Sequence, residues 1–198
     1  MSKLLIVDVQ HSYMEWILMN NLLEKIPELA KGYNHICYLW DNTSDQDLYE
    51  EIPEEWMDNI EYDKEHNEIE KECFYDSINT IISKQYYFIR NLMNHCDEEE
   101  IVNFGKFLIK HKIKYAKEIY ELDKSIFKEF EEEFKNTNII DFNFEEHEVY
   151  LPYDLIEELK EMNSCHLVGG GRDECLQEIS LLLQIIDVEH KILDEYCY

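Results

Sequence analysis

Short continuous apolar runs alternate along this chain with stretches whose apolar positions recur at helical spacing. Leu4-Leu5-Ile6-Val7 is uninterrupted, partly β-branched and of strand length, as in a parallel strand buried on both faces, and it ends in Asp8. A helical stretch from Tyr13 to Ala30 follows. Ile36-Cys37-Tyr38-Leu39-Trp40 is a second strand-like run, again ending in an acid, Asp41. Strand, helix, strand is a βαβ unit. Thr80-Ile81-Ile82-Ser83 predicts a third strand, which ends at Lys84 and leads into a helical stretch from Gln85 to Asn94. Cys165-His166-Leu167-Val168 runs into Gly169-Gly170-Gly171. A helix starting near Asp173 then carries Leu176, Ile179, Leu183 and Ile186, and its nearly all-round apolar character predicts burial. Lys191 to Tyr198 reads as an edge strand. The alternation predicts an open, mostly parallel α/β sheet, in which ligands bind beyond the carboxyl ends of the strands. Asp8, Asp41, Lys84 and the triple glycine stand at those ends.

Between Lys84 and the glycines lies an insert, at about 97–148, within what reads as a single domain spanning 1–198. Glu98 to Val102 and Phe104 to Lys117 are helix-like, and the last part of the insert, acidic and rich in Phe, reads as loop. Phe127, Phe130, Phe134, Phe142 and Phe144 suit a lid, a dimer contact or a local core.

Charge narrows the range of partners. With 45 Asp+Glu against 18 Lys+Arg the formal net charge is −27, which repels a nucleic-acid backbone and an anionic membrane surface. Residues 43–76 carry −12 of it and residues 118–148 carry −8. Such runs are solvated faces, or an acidic surface that docks a basic partner. No apolar run approaches the roughly 20 residues that cross a bilayer, and the opening residues do not read as a signal peptide, so a cytoplasmic protein is expected. Six cysteines are scattered without a C-x-x-C pair, and no His lies three or four residues from another His or Cys. Cys165 and His166 are adjacent, but neighbours on a strand point to opposite faces. Neither a disulfide framework nor a metal or other cofactor is expected.

The chain has five glycines, and three are contiguous at a strand-to-helix junction. Bare backbone there permits positive φ and close approach of another atom, and it suits either an anion cradle or an oxyanion hole. Cys175 falls in the first turn of the following helix, where the positive dipole end lowers a thiol pKa. Lys84 in the same crevice would stabilise the thiolate, and Asp8 would take the thiol proton and return it to a leaving group. The other reading of Cys175 is a small buried hydrophobe on an apolar helix.

Three segments resemble the isochorismatase-like cysteine hydrolases, the family that includes nicotinamidases and N-carbamoylsarcosine amidases. Leu4-Leu5-Ile6-Val7-Asp8-Val9-Gln10-His11-Ser12-Tyr13 resembles its apolar strand followed by D-x-Q-x-x-F/Y. Ile81-Ile82-Ser83-Lys84 resembles the strand ending in its catalytic lysine, and Gly169 to Cys175 is similar to its G-x-x-T-D-x-C-V turn. The resemblance implies a three-layer α/β/α fold of Rossmann-like topology with helices on both faces of the sheet. It implies Asp8 as general base, Lys84 as its charged partner and Cys175 as nucleophile toward a small amide-like substrate. A cis peptide between Gly170 and Gly171 is also implied, with the amides of Gly171 and Cys175 at the oxyanion site. Gln10, Tyr13, Trp40, Asp41 and Arg172 would surround the substrate, and the family's usual oligomers imply a homo-oligomer.

The departures from the pattern are specific. Arg172 stands where many members have Thr, and it either reads a substrate carboxylate or phosphate or pairs with a local acid such as Asp173. The interval from Lys84 to Cys175 is 91 residues, far longer than usual, so this is a divergent member. The Asp and two His that hold metal in nicotinamidases are not visible after the second strand, which argues for metal-independent chemistry and against nicotinamide. Two further readings stand beside hydrolysis: a non-catalytic protein of this fold binding a small anionic metabolite or nucleotide, and an acidic protein-interaction module.

Overall fold

The computed structural model describes residues 3–9, 13–40, 80–83 and 89–198. In chain order the described elements are β1 (Lys3–Val7), α1 (Met14–Met19), α2 (Leu22–Ala30), β2 (Ile36–Trp40), β3 (Thr80–Ser83), α3 (Arg90–Met93), α4 (Glu98–His111), α5 (Lys124–Phe134), α6 (Tyr153–Lys160), β4 (Ser164–Gly169), α7 (Cys175–Ile185) and β5 (Glu189–Cys197). Short 3₁₀ turns lie at Ala116–Glu121 and Asn138–Asp141. The chain divides into two compact units. The first comprises Met1–Gln85, Ser164–Leu176 and His190–Tyr198, and the second Tyr86–Asn163 and Gln177–Glu189. Among the described residues no helix is long and apolar enough to cross a membrane.

The first unit holds the sheet, in the order β3-β2-β1-β4-β5. β1 pairs in parallel with β2 and with β4, and β2 in parallel with β3. Leu4 to Val7 are fully buried, as a central parallel strand requires. The strand of residues 191–198 lies at the sheet edge as expected, starting two residues earlier. Val7 stands opposite both Leu39 and Gly169, and Leu39 opposite Ile82, so the four parallel strands end level with one another. On one face, Leu4, Ile6, Ile36 and Val168 pack with Ile17, Leu22, Ile26 and Ala30 of the α1–α2 segment.

That segment is two helices rather than the single one expected from Tyr13 to Ala30. Asn21 adopts the left-handed conformation at φ 56°, which Asn tolerates better than most residues. The Asn20 side-chain amide bonds back to the Trp16 carbonyl at 2.9 Å, competing with helix continuation.

The second unit is helical. Asp97 caps α4 reciprocally with Glu100, its carboxylate accepting the Glu100 amide at 2.9 Å while its own amide donates to Glu100 at 3.2 Å. The acidic, Phe-rich stretch carries the eleven-residue helix α5 where loop was expected, and Phe130, Phe134, Phe142 and Phe144 are core while Phe127 is half-buried. Phe104 stacks on Phe144 at 5.1 Å and meets Phe134 edge-on at 5.6 Å, which accounts for the aromatic spacing without a lid. A Cβ on Gly105 would lie 2.4 Å from Cδ1 of Ile185, so glycine there lets α4 and α7 approach closely.

Candidate active site

The strand order reverses between β1 and β4, because the chain adds β2 and β3 on one side of β1 and β4 on the other. In open parallel sheets the crevice at such a switch point is the usual ligand site. Two corners meet there in the first unit.

The first is Asp8. It leaves β1 with φ 51°, a region sparsely populated by residues other than glycine, and it is fully buried. The sheet holds this turn, since the Asp8 amide donates to the Leu39 carbonyl at 3.0 Å. Oδ2 accepts no hydrogen bond, although the residue makes other polar contacts. A buried carboxylate on a strained corner is a common property of functional sites.

The second corner follows β4. Gly169 has φ 96°, and a Cβ there would sit 2.1 Å from the Val7 carbonyl oxygen, so no other residue fits without moving the sheet. Gly170 donates its amide to that same oxygen at 2.7 Å. The Gly171 carbonyl then accepts from the amides of Glu174 at 3.2 Å and Leu176 at 3.1 Å, starting α7 with Cys175 as its first residue. A Cβ on Gly170 would lie 3.1 Å from the Cβ of Cys175 and 3.6 Å from the Val7 oxygen. Gly170 thus lies between Cys175 and Val7, the residue that precedes Asp8.

The Gly170–Gly171 peptide is trans, like every described peptide bond, and not the cis link that the family resemblance implies. Gly169 makes the turn through its positive φ, so no cis link is needed, and a trans amide is the lower-energy form.

Cys175 is 5% exposed at the positive end of α7, where the helix dipole favours a thiolate. Its neighbours in the first unit lack that position. Burial pushes the Cys165 thiol up to about 12, with Cys37 adding to the effect. Burial and then Asp194 push Cys197 up to about 11. None of the five described cysteines is in a disulfide.

Arg172 pairs with a local acid, though with Asp194 on β5 at 2.9 Å and not with Asp173; both side chains are more than half exposed. Tyr13 packs against Tyr198, with ring centroids 6.0 Å apart. Trp40 closes β2 opposite Ser83, the last residue of β3. Gln10, Asp41 and Lys84 lie outside the described residues.

Two residues stand out in the structure that the sequence pattern did not single out. Tyr198 donates its amide to the Gly169 carbonyl at 3.2 Å and its hydroxyl to the Asp8 carbonyl at 3.1 Å. In the second unit, Glu178 of α7 is fully buried, accepting from the Ile89 amide at 2.9 Å and from Arg90 at 3.3 Å. The available signal was an acid in an otherwise apolar helix, in a chain with only two arginines. No family model, curated protein or solved structure matches the chain.

Proposed function

We propose that this chain is a metal-independent, cysteine-dependent hydrolase of a small amide-like molecule, built as a divergent isochorismatase-like three-layer α/β/α domain. The observation that carries the reading is the meeting, at the topological switch point, of a fully buried acid on a strained corner with a glycine turn that opens directly into a cysteine at a helix N-terminus. In this reading Asp8 accepts the Cys175 thiol proton, with Lys84 as the charged partner that keeps the pair poised. The thiolate adds to the substrate carbonyl, and the amides of Gly171 and Cys175 receive the oxyanion. The C–N bond breaks as Asp8 returns the proton to the leaving amine. Water, deprotonated by Asp8, then cleaves the thioester to release the acid and restore the thiol. Gln10, Tyr13, Trp40, Asp41 and Arg172 border the substrate. The protein is cytoplasmic, acts without a cofactor, and forms a homo-oligomer.

The test is ammonia release from a panel of short aliphatic amides and N-carbamoyl amino acids. Cys175→Ala and Asp8→Asn each abolish it while leaving circular dichroism and Tm unchanged. If the wild type releases nothing yet small carboxylates or phosphates raise its Tm, and still do so in Cys175→Ala, the protein is a binder and the proposal fails.

A further inference from the structure

The Asp8 corner is held from both sides, and the two sides differ in kind. On the N-terminal side the restraint is the sheet itself: the Asp8 amide donates to Leu39, and the Val7 carbonyl accepts from Gly170. On the C-terminal side the Asp8 carbonyl accepts from a side chain two strands away, the Tyr198 hydroxyl at 3.1 Å. Tyr198 follows β5, and its amide is anchored on the Gly169 carbonyl at 3.2 Å. Its ring lies against Tyr13 at 6.0 Å, tilted by 32°. One residue therefore ties the turn that leads to Cys175 to the corner that carries Asp8, across the switch point between β4 and β1.

We propose that Tyr198 is a positioning residue: its hydroxyl fixes the peptide after Asp8 and so holds the carboxylate in the orientation from which it serves Cys175. This rests on the hydrolase reading above. The physical reason lies in the φ of Asp8. A residue at φ 51° relaxes toward the broad negative-φ region unless its flanking peptides are pinned. Removing the Tyr198 hydroxyl releases the second of those peptides while leaving the ring, its packing on Tyr13 and the amide anchor in place. The carboxylate then swings away, and the proton affinity of the thiol it serves changes.

The experiment uses the full chain and iodoacetamide, reading alkylation at each cysteine by mass spectrometry across pH 5–10. Tyr198→Phe is expected to lower the apparent pKa of Cys175 by at least half a unit, because a carboxylate held beside a thiol disfavours the thiolate, while Cys165 and Cys197 keep their profiles and Tm barely moves. In an Asp8→Asn background the same substitution adds no further shift, because Tyr198 acts through Asp8. A depressed wild-type pKa at Cys175 that is unchanged in Tyr198→Phe overturns the positioning role and leaves the hydrolase reading standing. An ordinary wild-type pKa sinks the hydrolase reading itself. If Tyr198→Phe loses its fold, or shifts Cys175 equally in both backgrounds, the hydroxyl serves structure alone and the proposal is wrong.

Discussion

Substituting the three contiguous glycines one at a time separates backbone demand from coincidence of sequence. At Gly169 an alanine meets two penalties. Positive φ at 96° costs an L-residue about 1–2 kcal/mol. Its Cβ would also lie 2.1 Å from the Val7 oxygen and 2.8 Å from the Val9 side chain, an overpacking worth about 1–3 kcal/mol because the atom in the way is sheet backbone. Gly169→Ala is therefore expected to lose about 2–5 kcal/mol. At Gly170 the nearest atom is the Cβ of Cys175 at 3.1 Å and φ is not positive, so about 1 kcal/mol is the ceiling. At Gly171 the nearest atom is 3.6 Å away, an ordinary contact, and the change stays within about 0.5 kcal/mol. Urea denaturation followed by far-UV circular dichroism gives the ranking through the midpoints, provided the slope is unchanged. Equal losses at Gly169 and Gly171 would show that neither the positive φ nor the clash with Val7 sets the cost at Gly169.

Two further outcomes follow from the second unit. Glu178→Gln leaves Arg90 without its carboxylate in a largely buried setting and should cost about 2–4 kcal/mol in urea denaturation, whereas the apolar double variant Glu178→Leu/Arg90→Leu recovers part of the loss; a change under about 0.5 kcal/mol in the single variant would contradict the burial of this pair. On the surface, the hydrogen bond from Lys110 holds the Glu129 carboxyl below its ordinary 4.5, with His111 adding to it, and the same bond holds the Lys110 ammonium above 10.5. The Glu129 contribution is thus complete above its ordinary value and lost as pH falls through the lowered one, while the Lys110 contribution is lost as pH rises past the raised one. The Tm difference between Glu129→Gln and wild type should be constant from pH 6 to 9, shrink below pH 4 and weaken in high salt; a difference that grows on acidification would reverse the sign.

Leu4 to Val7 were legible because a central parallel strand buried on both faces has to be a short apolar run, and Ile36 to Trp40, Thr80 to Ser83 and Cys165 to Val168 were legible from runs of the same strand length. The glycine turn was legible because three of five glycines stand together, although the reason proved to be the φ of Gly169 and not a cis link. Helical breaks were harder to read. The apolar spacing continues through Asn20 and Asn21, and only the left-handed tolerance of Asn marks the interruption. In α5 the acids around Phe130 and Phe134 masked a helical period that these two buried rings obey. Glu178 and Tyr198 escaped notice because each acts through partners far along the chain, and long-range pairing leaves no local pattern.

Whether Cys175 is a nucleophile set apart from the other thiols is read from the pH dependence of iodoacetamide alkylation, resolved by cysteine on the folded wild type. Cys175 is expected to react fastest, with an apparent pKa well below the roughly 8.5 of a free thiol, while Cys165, Cys197 and Cys96, pushed up to about 12, about 11 and about 11 mainly by burial, stay nearly inert at pH 7. A Cys175 that reacts no faster than those three, or only as pH climbs past 8.5, would contradict that expectation.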